Sequence, residues 1–259
     1  MKITLFKQVV AFLRIFANKV LEVSHQLQHF FANGSFGIAV YPLLMHPIIR
    51  GSTRFIVILL AVLLSFIGVF YTLAEFVSAL FSESSLITYA RHTVLELLIP
   101  LGSVIDGKTN NFSPLYQVMN AVFSLQGLCF AVAYLAVILQ LSRRKYWLLA
   151  LIFAALFTIG MSLIPSSQAK ITAGGLQNLG ASLTYLFGNL AIVMAGIDIV
   201  KPQIVWLRRF SIQAGLIGVL CVLITIFFPN MLTPILERVA IYAVMIWEIL
   251  AGLAMLKRK

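Results

Sequence analysis

Charge is what this chain has least of. Asp, Glu, Lys and Arg together make up 10% of its 259 residues, and only eight of those are acidic. A soluble globular chain is about one quarter charged, so this composition excludes a water-soluble domain. Cysteine is nearly absent too. Cys129 and Cys221 are too few for a disulfide framework, and both fall in apolar runs where a thiol packs as a small hydrophobe. Histidine numbers four. No His-rich, paired-carboxylate or Ser/His arrangement stands at a catalytic spacing, which argues against an enzyme, and no cofactor motif is present.

What is abundant is apolar: 61% of the residues. About 20 consecutive apolar residues cross the hydrocarbon core of a bilayer, and six stretches meet that length: about 55–80, 117–142, 147–164, 179–200, 210–229 and 236–256. The expected fold is all-α, a polytopic six-helix membrane bundle preceded by a separate N-terminal region, residues 1–54. Lys and Arg accumulate in loops on the cytoplasmic side. With the N-terminus inside, 15 basic residues fall on the inner side. Only Arg91, Lys108, Lys170 and Arg238 fall outside. Both termini are therefore expected in the cytoplasm, in a cell-membrane protein. The net charge of +11 is accounted for by this asymmetry and by anionic inner-leaflet lipids, with no need of nucleic acid. Lys7, Arg14 and Lys19 interrupt the first apolar stretch, unlike the core of a cleaved signal peptide.

From Ile3 to Phe31 the apolar positions Leu5, Phe6, Val9, Phe12, Leu13, Phe16, Val20, Leu27 and Phe31 recur near helical spacing among those basic residues. This predicts an amphipathic helix on the inner membrane surface. The following "FGIAVYPLLMHPII", broken by Pro42 and Pro47, is too short to span and reads as interfacial or re-entrant. On the N-terminal helix Glu22, His25 and His29 share a face, a spacing open to a metal. The wet face of a surface helix is the preferred reading, because Gln26 stands where the zinc-protease motif has its catalytic Glu. His46 and His92 read as isolated interfacial residues.

Within the spans, Gly180, Thr184 and Gly188 recur every four residues, as do Ser211 with Gly215 and Ala214 with Gly218. Such stripes let helix backbones approach closely. Prolines in "ELLIPLGS", "SLIPSSQ" and "IFFPNML" are expected to end helices, and the loop from about 81 to 116 either caps the bundle or merely connects it. Polar residues inside spans cost free energy unless they find partners or water. Asn120 and Gln126 lie in the outer half of span two, Asn189 lies near the centre of span four, and Asp198, at its inner end, is within reach of Lys201. Glu248 is deepest, some 13 Å from the inner end of its helix at about 1.5 Å per residue. It must accept a partner from another helix or carry a proton, and Gln213, Asn189 or a water-filled cavity are the candidates.

Four stretches in order, "FSPLYQVMNAVFSLQGL", "LIP" at the end of span three, "LGASLTYLFGNLAIVMAG" and "LERVAIYAVMIWE", resemble the prokaryotic membrane-protein family catalogued as domain of unknown function 998. The likeness covers about residues 55–259. In that family the last helix similarly opens on a Glu-Arg pair followed by a Trp, here Glu237, Arg238 and Trp247. A histidine is common in the family before the Gly-Ala of span four, where this chain has Gln177, and residues 1–54 have no counterpart there. The resemblance implies the six-span topology. It implies no particular activity, and it directs attention to Glu237 and Arg238 as members of an outer polar cluster with Asn120, Gln177 or Asn178.

Three function classes follow: a protein that handles or transports a small or amphiphilic molecule, an accessory or immunity-type protein that binds another membrane protein or itself, and, weakest, a membrane enzyme. A hydrophilic cavity reaching Glu248 would favour the first. A packed bundle with an exposed small-residue face would favour the second.

Overall fold

The computed structural model describes residues 2–33, 46–81, 90–102, 104–105, 108–109, 114–141, 146–166, 176–199, 204–229 and 231–256. Helix α1 (Lys2–Asn33) precedes six long helices: α2 (Pro47–Leu80), α3 (Tyr116–Leu141), α4 (Trp147–Ser166), α5 (Leu176–Asp198), α6 (Val205–Phe227) and α7 (Thr233–Leu256). All six are long and apolar enough to cross a membrane. Between α2 and α3 lie a 3-10 helix, Val94–Leu98, and a minimal antiparallel pair, β1 (Val104–Ile105) with β2 (Lys108–Thr109).

Helix α2 begins eight residues earlier than the apolar run suggests. Pro47 opens this helix. Proline suits a first turn because its fixed φ is helical and its missing N–H needs no partner there. Residues 34–45, most of the stretch expected to be interfacial or re-entrant, lie outside the described residues, as does Lys201. Proline also fails to stop α4 where expected, since Pro165 lies within its last turn. Pro100 does punctuate the chain, with Ile99 before it extended at φ −85° and ψ 131°.

The six long helices close into a ring in chain order, α7 returning to pack along α2. Within that ring α7 also touches α5 and α3, so α3, α5 and α7 form an inner triangle and α2, α4 and α6 fill its outer grooves. The packed centre is aromatic. Phe130 lies against Phe157, Tyr134 and Trp247, and all four side chains are fully buried. Five hydroxyls in the apolar helices are satisfied locally: Thr72, Thr158, Ser162, Ser182 and Ser211 each donate to the carbonyl four residues earlier. Helix α1 meets the bundle mainly through α4 and leaves Phe12, Ile15, Phe16, Phe30 and Phe31 exposed.

The small-residue stripes are where neighbouring backbones meet. A Cβ on Gly180 would lie 2.9 Å from the Gly160 carbonyl oxygen of α4, and one on Gly188 would lie 2.6 Å from the Phe157 ring. Between α5 and α6, a Cβ on Gly215 would sit 2.8 Å from the Asn189 carbonyl, and one on Gly218 would overlap the Asn189 carboxamide. Gly218→Ala is therefore expected to lower stability by about 2 kcal/mol, within the range for overpacking. Gly51→Ala, where nothing lies within 4 Å, should be neutral or better. Denaturation in detergent followed by tryptophan fluorescence separates the two, and equal midpoints would refute the close approach.

Candidate functional site: polar groups inside the bundle

The eight polar residues of the candidate cluster (Asn120, Gln126, Gln177, Asn178, Asn189, Glu237, Arg238 and Glu248) lie on α3, α5 or α7, the inner helices. They form three separate arrangements rather than one cluster. Deepest is Glu248, fully buried, whose two carboxyl oxygens accept from Gln126 Nε2 at 2.6 and 2.7 Å. Gln126 also lies 3.2 Å from the Met245 sulfur. The partner of Glu248 is thus Gln126 of α3, not Gln213 or Asn189. Gly68 of α2 makes room for the pair, since a Cβ there would stand 3.3 Å from Glu248 Oε2 and 2.6 Å from the Met245 carbonyl.

Asn189 works on backbone alone. Its Nδ2 donates to the Tyr185 carbonyl at 2.7 Å and to the Ala240 carbonyl of α7 at 2.9 Å, while Oδ1 lies against Gly218. Trp247 Nε1 donates to Ser211 of α6 at 2.9 Å, and Tyr134 donates to the Ala191 carbonyl at 2.6 Å. Asp198 accepts the Tyr146 backbone N–H at 3.3 Å, just before α4 begins. A carboxylate suits that position, where free N–H groups and the positive end of the helix dipole converge.

The second arrangement lies at the loop end of the bundle, where the 3-10 helix sits. Arg238 is 8% exposed and donates from Nε to Glu75 Oε1 of α2 at 3.1 Å. Its Nη1 reaches the His92 carbonyl at 2.7 Å and the Pro234 carbonyl at 3.2 Å. Glu75 is fully buried. Sequence reading passed over it, although "YTLAEFVSAL" displays a carboxylate within an apolar span. Asn120 donates to the Leu98 carbonyl at 3.1 Å. Arg238 and Asn120 therefore clamp the segment around the 3-10 helix, whose Val94, Leu97 and Leu98 are fully buried, and this part of the long loop is a cap. His92 is not isolated: its ring pairs with Glu96, which also receives the Thr93 N–H and hydroxyl.

The third arrangement is a cavity of about 170 Å³ beside that cap, lined by Leu95, Asn178, Ala181, Ser182, Tyr185, Val222, Thr225, Ile226 and Glu237. Tyr185 is 5% exposed and Glu237 9%. The Tyr185 hydroxyl, Thr225 Oγ1 and Glu237 Oε2 are buried with no hydrogen-bond partner among the described residues. Asn178, Ser182 and Ile226 are exposed, so the cavity has a rim on the outer surface between α5 and α6. The adjacent residues Glu237 and Arg238 thus face different sites. Gln177 is buried with Nε2 unpartnered, but it does not line the cavity. Glu248 does not line it either.

On α1, Glu22 pairs with Lys19 at 2.9 Å. His25 and His29 border a shallow groove with Gln26 and Phe30. Among the described residues no group of three His, Cys, Asp or Glu side chains is placed to hold a metal ion, so Glu22, His25 and His29 are not assembled as ligands.

Six helices long and apolar enough to cross a membrane make this a multi-pass membrane protein. Compared with known proteins, the chain matches no family model, no curated protein and no solved structure.

Proposed function

We propose that this protein binds and handles a small amphiphilic molecule at the cavity between α5, α6 and α7. The observation that carries the reading is the trio of buried oxygens on Tyr185, Thr225 and Glu237, unpartnered among the described residues, in a cavity whose rim reaches the exposed surface of the bundle. An unmade hydrogen bond in a buried site costs about 1–3 kcal/mol, and a polar ligand group entering there would offset it. The apolar part of the lining, Ala181, Val222, Ile226 and Leu95, suits a hydrocarbon chain, and Asn178 and Ser182 complete it at the rim. Towards the C-terminal end the interior is packed by Asn189, Phe130, Phe157 and Trp247. Lateral binding from the bilayer is therefore favoured over passage along the bundle axis.

The kinship with domain of unknown function 998 belongs to this reading: of the Glu-Arg pair on which the likeness rests, Glu237 lines the cavity and Arg238 holds its cap. So does the orientation with both termini in the cytoplasm of the cell, which puts the cavity near the outer surface. In that orientation α1 lies on the inner surface, with exposed Lys7, Arg14 and Lys19 suited to anionic lipids and its exposed phenylalanines to the acyl boundary. A second reading, an accessory role through binding another membrane protein, draws on those same exposed aromatics.

The test is photo-crosslinking with a diazirine-bearing alkyl amphiphile in nanodiscs, mapped by mass spectrometry. Labels should concentrate on residues 178–185 and 222–226, and Ser182→Trp, which fills the rim, should reduce them at least fivefold. Labels spread evenly over all exposed apolar faces would overturn the reading.

A further inference from the structure

The three unpartnered oxygens also speak to the chemistry of the ligand, an inference that rests on the cavity's being a binding site. Among the described residues no lysine, arginine or histidine lines the cavity. Arg238, the cation adjacent in sequence, is committed to Glu75 and to the carbonyls of His92 and Pro234. Of the carboxyl groups buried at this end of the bundle among the described residues, Glu75 is hydrogen-bonded to that guanidinium, whereas Arg238 makes no hydrogen bond to Glu237 Oε2. A buried carboxylate is stable only when paired or hydrogen-bonded, and Glu237 Oε2 has no hydrogen-bond partner among the described residues.

We propose that the cavity receives the primary ammonium group of an amphiphile. A primary ammonium carries three N–H donors and no acceptor. The cavity offers three buried oxygens able to accept, Glu237 Oε2, Tyr185 OH and Thr225 Oγ1, one from each of α7, α5 and α6. Its 170 Å³ equals roughly five or six water volumes at about 30 Å³ each, enough for an ethanolammonium-sized head while the tail leaves past Ser182 and Ile226. A trimethylammonium group fits neither requirement, being bulkier and unable to donate an N–H hydrogen bond. An anionic head would meet Glu237 with like charge.

The source of the ammonium group is either a membrane lipid or a free alkylamine, and two arms distinguish them. In detergent, thermal unfolding of the intact protein is followed with octylamine, octyltrimethylammonium, octanol and octanoate. In nanodiscs, native mass spectrometry compares retained phosphatidylethanolamine with phosphatidylcholine. Octylamine should raise the midpoint by several degrees and bind at least tenfold more tightly than the trimethyl analogue. That preference should vanish in Glu237→Gln and weaken in the near-isosteric Thr225→Val, which is kept in case the first variant folds poorly. Retention of phosphatidylethanolamine alone assigns a lipid, whereas an octylamine effect without it assigns a free amine. Equal stabilisation by all four probes, abolished by Ser182→Trp, would overturn the ammonium assignment and leave the binding site standing. Stabilisation that survives Ser182→Trp for every probe would overturn the site itself.

Discussion

Arg238→Leu is expected to be the most damaging single substitution in the bundle, lowering stability by about 3–5 kcal/mol, the range for breaking a buried ion pair by removing one partner. The loss has two parts. Glu75, fully buried in α2, is stripped of its cation, and the carbonyls of His92 and Pro234 lose their donor. Only the first part is relieved by removing the acid as well. Glu75→Leu combined with Arg238→Leu should therefore recover much, but not all, of the stability, because the segment around the 3-10 helix still lacks its clamp. Unfolding of the single and double variants in mixed micelles measures both parts. A double variant no more stable than Arg238→Leu would show that the ion pair is not the source of the effect.

The second large effect is expected at the deep pair. Gln126→Leu leaves both oxygens of Glu248 without their donor in a fully buried site. The cost should be about 2–3 kcal/mol, at the upper end for an orphaned buried polar group. Glu248→Gln keeps an oxygen for Gln126 to reach and should cost under about 1 kcal/mol, as interhelical hydrogen bonds in membrane bundles average about 0.6 kcal/mol. The double variant Gln126→Leu with Glu248→Leu, apolar on both sides, should be more stable than Gln126→Leu alone. Amphiphile binding should be unchanged in Glu248→Gln, because Glu248 lies outside the cavity lining. A binding defect in a folded Glu248→Gln protein would return that carboxyl to the functional site.

The spans themselves were plain in the sequence, because hydrocarbon thickness sets helix length and leaves few alternative lengths. Their ends were less so: a proline that reads as a breaker is a good first residue for a helix, and Pro47 is used that way. The small-residue stripes pointed to the correct faces of α5 and α6. They did not reveal that Gly160 and Gly196 receive them, since a lone glycine carries no periodic signal.

Partners of buried polar groups were legible only in part. Glu75 lies five residues from the end of α2 and Arg238 five residues from the start of α7, both about 8 Å deep at 1.5 Å per residue. Depth matching would have found that pair. The same arithmetic misleads for Glu248, fifteen residues into α7, by favouring Asn189, thirteen into α5, over Gln126, ten into α3. Depth says nothing about which way round its axis a helix faces, and that angle settles the choice. The cavity left even less trace, since Tyr185 and Thr225 are ordinary residues of membrane helices until the fold leaves their hydroxyls unpartnered.

The ring of helices closes between its first and last members, and its fastening is an acid and a base 163 residues apart. Glu75 therefore enters the bilayer long before the ribosome has made Arg238. Until α7 arrives, Glu75 lacks the guanidinium it holds in the finished bundle, and a seam lies open along Ser65 and Gly68, the positions that later meet Gly252 and Met245. The last helix thus supplies both the missing cation and the wall of the seam, so the ring becomes a closed bundle only when the chain is nearly finished.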